Sequence, residues 1–509
     1  MSDFQERLRA AGANLATRPD LSDWVGQVLP TQSGHYWGGS WQTARSLRES
    51  INPSTGQPLA LFAWGAEEDV DAAVAAASRA FAGWAATPPL ERARCLRNAA
   101  AIVRAHALEL ALLDAADCGN PVKAMQMDAE IAATQIEYFA GVVLENKGET
   151  LPTGNGSLNY TLREPLGVVA RIYPFNHPFM FAAGKMAAPL AAGNTVVLKP
   201  PEQAPLSTLR LMELLHGVFP PGVLNCVVGG REVGAALSAH PGVAAVGLIG
   251  SVGAGQAVAR AAAQGMKKSL LELGGKNAMV IYPDAEFDAA VDGAVRGMNF
   301  TWCGQSCGST SRLLVHESLH DRFVEALAQL LAERHRPGVA THMQTTMGAM
   351  ASEAQYQRTL DYIAHGHSDG AQLVCGGGRP GDLASGFFIE PTVFQGVEAS
   401  HRIAREEIFG PVLSVMRWRD EDAMFDVVNG LSFGLTASFW TQNLISAHRA
   451  AARVQAGYVW INDCSIHIPG APFGGYKLSG TGREECLQEL HEFSQIKNVN
   501  VSLRGAPRR

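Results

Sequence analysis

Residues 167–202 read GVVARIYPFNHPFMFAAGKMAAPLAAGNTVVLKPPE. The apolar runs GVVARIYPF (167–175) and NTVVLKP (194–200) have strand character, and they flank an alanine-rich helical stretch that opens at Pro178. Strand, helix and strand within that length form the unit of a parallel sheet, because parallel neighbours need a crossover long enough to hold a helix. The pattern continues through a helix over Leu206–Phe219, VLNCVVG (223–229), a helix near Ala235 and AAVGLIG (244–250). Such a series predicts a doubly wound α/β layout, in which ligands bind beyond the carboxyl ends of the strands.

A second α/β series starts near Gly275. It runs through NAMVIY (277–282), a helix over Ala285–Met298, SRLLVH (311–316), a helix over His320–Arg334, GPVLSVMRW (410–418) and ASFWTQ (437–442). Upstream, Glu67–Ala85 and Pro88–Asp117 repeat apolar residues at three and four positions and predict two amphipathic helices. The first fifty residues are irregular beyond a charged amphipathic helix in MSDFQERLRAAGANLA. The tail IKNVNVSL (496–503) alternates like a strand, and its open edge invites a second subunit.

A chain of 509 residues is long enough for two or three domains with real interiors. With 47% apolar residues, 17% charged residues and 53 glycines, it reads as a globular α/β enzyme. Its 41 basic and 48 acidic side chains leave no positive footprint for nucleic acid or an anionic membrane, so small molecules are the expected partners. The apolar segment Pro178–Leu198 is interrupted by Lys185, Pro189 and Gly193 and does not read as a membrane span. Eight cysteines, with no signal-peptide pattern and no zinc-ligand spacing, lead us to expect a reducing, cytoplasmic setting and no bound metal.

Five short stretches carry chemistry. GSVGAG (Gly250–Gly255) follows an apolar run and opens a helix over Gln256–Gln264; glycines there admit a pyrophosphate to the positive end of the helix, although such a turn is often plain structure. Lys199 and Glu202, just past a strand, can hydrogen-bond ribose hydroxyls, and the carboxylate repels a 2′-phosphate. Glu272, among apolar residues in LLELGGK (270–276), has surroundings that raise a carboxyl pKa and suit a general base. In GQSCGSTSR (304–312), small neighbours and a backbone able to direct amides inward suit Cys307 as a nucleophile, although a lone cysteine is more often inert core packing; Cys303 follows Trp302 and reads as wall. Asn176, in the two-proline turn YPFNHP (173–178), is placed to donate to a developing oxyanion.

Seven motifs, PFNHPF, KPPE, GSVGAG, LELGGKN, GQSCGSTSR, EEIFGP (406–411) and PFGGYKLSG (472–480), stand in an order and spacing that resemble the NAD(P)-dependent aldehyde dehydrogenase superfamily, from about Asn52 to Leu503. The likeness is to its non-acylating, betaine or aromatic aldehyde branch. It implies Cys307 as nucleophile, Glu272 as base, Asn176 as oxyanion donor, and Lys185 with Glu484 as a proton relay. Cofactor contacts are implied at Ile172, Tyr173, Pro174, Phe175, Lys199, Glu202, Gly250, Ser251, Gly255, Leu273, Gly274, Glu407 and Phe409. Val252 and Gly253 depart from the polar residue and glutamate usual in relatives. NAD is the expected cofactor on account of Glu202, with NADP also possible.

The resemblance further implies an NAD-binding domain over 1–146 and 166–274 and a catalytic domain over 275–480, with a bridging oligomerisation segment over 147–165 and 488–509. It implies a homodimer or homotetramer that oxidises an aldehyde to the acid. The expected substrate pocket comprises His177, Phe181, Gly184, Thr301, Trp302, Cys303, Ser465, His467, Ile468 and Phe473. Gly184 falls where many relatives carry tryptophan, so a widened tunnel and a bulky or aromatic aldehyde are expected. A betaine-type or broad aliphatic aldehyde is the alternative; the loop CSIHIP (464–469) brings no carboxylate for a quaternary ammonium, though Trp302 and Phe181 could form part of an aromatic cage. Outside this class stand an inactive binding protein, which would need Cys307, Glu272 or Asn176 altered, and a cysteine hydrolase using His177 as its base.

Overall fold

A computed structural model describes residues 3–10, 20–154 and 156–503. The N-terminal helix spans Asp3–Ala10; the part of the helical reading beyond it, and residues 504–509 of the expected bridging segment, lie outside the described residues.

The stretch quoted first folds as the centre of an eight-stranded sheet. Val168–Ile172 pairs in parallel with Thr195–Lys199 on one side and with Val243–Gly250 on the other. Leu224–Cys226 continues the first direction and Lys268–Leu273 the second, so the strand order reverses beside Val168–Ile172. The crevice at that reversal is where such sheets hold nucleotides. These strands are nearly continuous apolar runs because helices cover both faces. The helix Glu67–Ala86 and the helices Arg231–Ala239 and Val252–Gln264 pack on one face, and an all-apolar cluster around Phe179, Leu190 and Leu209 fills the other.

A seven-stranded sheet gathers residues 278–461. Its central strands Arg312–His316, Ala278–Ile281 and Thr436–Trp440 are parallel, and the order again reverses beside Ala278–Ile281. A three-stranded sheet joins Thr150–Leu151 and Ser157–Pro165 to the terminal strand Ser494–Ser502. One connection links the first two regions directly: Gly480–Thr481 lies antiparallel to Leu271 and Glu272 and closes the edge of the eight-stranded sheet.

The run read as one helix over Pro88–Asp117 is two helices, Pro89–Ala105 and Ala107–Cys118, broken at His106. Its apolar spacing carries through the break because both pieces bury alanine and leucine against the helix Val122–Gly141. The helix after GSVGAG starts at Val252, four residues earlier than its spacing indicates, with Ser251 as its N-cap. No helix among the described residues is long and apolar enough to cross a membrane.

Candidate active site

Cys307 sits on the loop between a short helical turn, Phe300–Trp302, and the strand Arg312–His316. Asn277 braces that loop from below: its Nδ2 donates to the carbonyls of Cys307 (2.7 Å) and Ser309 (3.0 Å), while its Oδ1 accepts from Thr436 N–H. The thiol faces a cavity of roughly 300 Å³ lined also by Asn176, Lys185, Glu272, Trp302 and Phe473. Burial, with the carboxylates of Glu407, Glu272 and Glu485, pushes the thiol up to about 12, while its own N–H pulls the other way. The resting group is therefore a thiol, and it needs a base or added positive potential to react.

Glu272 ends the strand Lys268–Leu273 and is held from the far side by the segment PFGGYKLSG. Leu273 N–H donates to Ser479 O, and Ser479 Oγ donates to Gly274 O. Both carboxyl oxygens of Glu272 are buried without a partner among the described residues. Burial, reinforced by Glu484, raises its pKa well above the carboxylate range. A buried carboxyl with free oxygens is suited to taking a proton from a water or thiol in the cavity. Asn176 is buried opposite; its carbonyl accepts from Asn120 Nδ2 at 2.7 Å, which fixes the turn, and its own amide nitrogen makes no hydrogen bond among the described residues.

Lys185 and Glu484 meet at 2.9 Å, and Glu484 also binds Arg171 at 2.7 Å. Burial opposes the charge on Glu484, but Lys185 and then Arg171 outweigh it and hold its pKa below the usual range. Glu485 extends the chain to Lys185 (3.4 Å) and His467 (2.9 Å). Its pKa is held at about 2: burial opposes the charge, and His467 and Lys185 prevail.

The nucleotide crevice is equally defined. Lys199 Nζ meets Glu202 Oε2 at 3.0 Å at the strand end. Ser251 Oγ accepts from Ala254 N–H, and a Cβ built on Gly253 would meet nothing within 4 Å, so the positive end of this helix is open to an anion. Glu407 Oε1 accepts from Gly275 N–H at 3.0 Å, and its other oxygen lies so close to Gly274 that a Cβ there would sit 2.0 Å away. Phe175 and Phe409 cross edge to face at 5.8 Å, with Phe409 in a left-handed backbone conformation (φ +57°). A ribose pair, a diphosphate and a flat ring thus each find matching chemistry. Two expected contacts have other duties. Tyr173 turns its hydroxyl into the core against Thr208 (3.1 Å), and Gly255 packs against Leu273, where a Cβ would lie 2.4 Å from Leu273 Cδ1.

Of the expected pocket, His177, Phe181, Trp302, Ser465, His467 and Phe473 line the cavity. Four do not. Cys303 is fully buried with its thiol on Gly348 O, the Thr301 carbonyl accepts from Gly348 N–H, and Ile468 projects to solvent. Gly184 does not widen the tunnel, because the side chain of Gln135 occupies the space: a Cβ on Gly184 would lie 2.2 Å from Gln135 Oε1. The sequence reading missed a whole wall, Asp128, Ile131 and Gln135 from the helix Val122–Gly141, together with Met180, Trp460 and Glu485. Positions 128, 131 and 135 share a helix face, and that spacing is the signal available in the sequence. Asp128 also fixes His177, whose Nδ1 lies 2.7 Å from Asp128 Oδ2 and whose ring crosses Trp302 at 4.9 Å.

A family model described as the aldehyde dehydrogenase family matches residues 41–499. The chain belongs to that family. It is 50% identical over 492 residues to "Aldehyde dehydrogenase tropH" of Talaromyces stipitatus, covering 95% of this chain and 96% of the relative. It is 42% identical to the hydroxyisobutyraldehyde dehydrogenase of Mycolicibacterium austroafricanum, over 93% of this chain and 94% of that one. Among solved structures, an NAD+ complex of an aldehyde dehydrogenase from Bacillus cereus superposes with a TM-score of 0.92 at 38% identity, covering 95% of this chain and 99% of that one. In this aldehyde dehydrogenase the crevice between Lys199, Ser251 and Glu407 has the chemistry to hold a dinucleotide.

Proposed function

We propose that this aldehyde dehydrogenase oxidises an aldehyde with an apolar or aromatic body to its carboxylic acid through a thioester on Cys307. The observation that carries this reading is the convergence on one cavity of the Cys307 thiol, the Asn176 side-chain amide and the Glu272 carboxyl, which has no partner among the described residues. The thiolate of Cys307 adds to the carbonyl carbon, and the resulting alkoxide is stabilised by Asn176 Nδ2 and the Cys307 N–H. NAD, when bound, accepts the hydride from that carbon. Glu272 then takes a proton from water attacking the thioester, which releases the acid and restores the thiol. Lys185 and Glu484 carry that proton away from Glu272. A free base beside the thioester favours hydrolysis over transfer to coenzyme A.

Phe181, Trp302, Trp460 and Phe473 supply the apolar walls that support a bulky or aromatic substrate; a widening at Gly184 does not contribute. A trimethylammonium substrate is disfavoured, because two of the cavity carboxylates are already engaged, Asp128 by His177 and Glu485 by Lys185 and His467. The carboxylate of Glu202 favours NAD over NADP. We further propose a homodimer or homotetramer, since Leu158, Leu162 and Ile496 are exposed on the three-stranded sheet and the terminal strand has one open edge. Eight free cysteines support a reducing, cytoplasmic setting.

Rapid mixing with NAD and an aldehyde tests the mechanism. Cys307→Ser is expected to abolish NADH formation, and Glu272→Gln to retain a burst of about one NADH per site with steady turnover lowered about 10²–10⁴-fold. Full steady turnover in Cys307→Ser would overturn the reading.

A further inference from the structure

The inner wall of the cavity carries polar side chains that the thioester chemistry does not use. Gln135 fills the space beside Gly184 and donates Nε2–H to Glu485 Oε1 at 3.3 Å. Glu485 accepts also from Lys185 Nζ (3.4 Å) and meets His467 Nδ1 at 2.9 Å. A carboxylate only accepts, so it requires the Gln135 amide to turn its nitrogen inward and leaves Oε1 as a carbonyl acceptor. No donor among the described residues reaches Gln135 Oε1. Glu485 is held at φ +65°, a left-handed conformation that a non-glycine residue keeps only where its surroundings fix it. His467 is itself packed on Phe473 with ring centroids 4.5 Å apart. Gln135, Glu485 and His467 all line the cavity that holds Cys307.

We propose that Gln135 and Glu485 form an acceptor wall that selects aldehydes carrying a hydroxyl group, a conclusion that rests on the reading of Cys307 as the nucleophile toward an aldehyde. Three of the roughly four lone-pair sites of Glu485 are engaged, two of them on Oε1, so one remains on Oε2, and Gln135 Oε1 is a second open acceptor. A substrate hydroxyl donates to either. A methyl group in its place leaves a buried acceptor without a donor, the kind of mismatch by which hydrogen-bonding sites reject close analogues. Lys185, shared with Glu484, and His467 both engage the Glu485 carboxylate, so the wall counts for its hydrogen-bond acceptance rather than for its charge.

The test compares kcat/KM, by NADH formation, for pairs in which hydroxyl replaces methyl: meta-hydroxybenzaldehyde with meta-tolualdehyde, the para pair, and glycolaldehyde with propanal. The native enzyme is expected to favour the hydroxyl member of at least one pair by about tenfold or more. Gln135→Leu and Gln135→Met should bring that ratio to about one or below, chiefly through KM, while Glu485→Gln, which keeps a carbonyl acceptor, keeps its direction. General damage to the pocket slows both members alike and leaves the ratio unmoved. A native preference for methyl in every pair, parity in every pair, or a hydroxyl preference that survives both Gln135 variants would overturn the proposal. Methyl members turning over as well as hydroxyl ones would sink the acceptor wall alone; no NADH from any aldehyde would sink the Cys307 reading as well.

Discussion

In the proposed chemistry Cys307 and Glu272 share a predicament, since both would have to be deprotonated to act and both are buried where charge is opposed. Burial raises each, the thiol to about 12 and the carboxyl well above its usual range. The sign follows: the reactive form of each group grows as pH rises, so kcat should climb toward alkaline pH, with no falling limb from either group. Stopped-flow should show both the NADH burst rate and steady turnover rising between neutral and alkaline pH. Asn176 acts only once negative charge develops on the substrate oxygen, so Asn176→Ala should lower kcat about 10²–10³-fold with little change in KM for NAD, read by steady-state kinetics. The convergence of Cys307, Glu272 and Asn176 on one cavity, the trio proposed as catalytic, was legible in the sequence because each member sits in a short motif of small or rigid residues. Gln135 and Glu485 were not: Gln135 lies on a helix with no motif, and Glu485 follows another glutamate that already matched a family position.

At the scale of elements, alternating apolar runs announced the parallel strands of both sheets, because a strand buried on two faces has no freedom to be polar. Boundaries were harder to read. Continuous alanine and leucine hid the break at His106, and Ser251 starts its helix before the apolar spacing becomes visible. The wall built by Val122–Gly141 could not be assigned to the pocket from its own sequence, since its role depends on which helix crosses it. Gly255 illustrates the same dependence. In the sequence it reads as a phosphate turn; in the fold it lets the helix Val252–Gln264 approach Leu273 on the strand that carries Glu272. Gly255→Val should push that helix outward, cost about 1–3 kcal/mol in denaturant unfolding, and weaken NAD more than aldehyde.

For the whole molecule, the terminal strand Ser494–Ser502 matters beyond its own pairing. It lies across Ser157–Pro165 with one edge open and carries the exposed Ile496. Ile496→Glu together with Leu162→Glu should move the mass measured by light scattering from a multiple of 54.1 kDa toward 54.1 kDa. An unchanged assembly would show that the contact lies elsewhere. The short strand Gly480–Thr481 has a different reach: by pairing with Leu271 and Glu272 it makes the seat of the base depend on residues more than two hundred positions downstream. During synthesis the nucleophile therefore leaves the ribosome long before its base has a frame, and a chain halted short of Gly480 carries an unattended thiol with no means of completing a turnover.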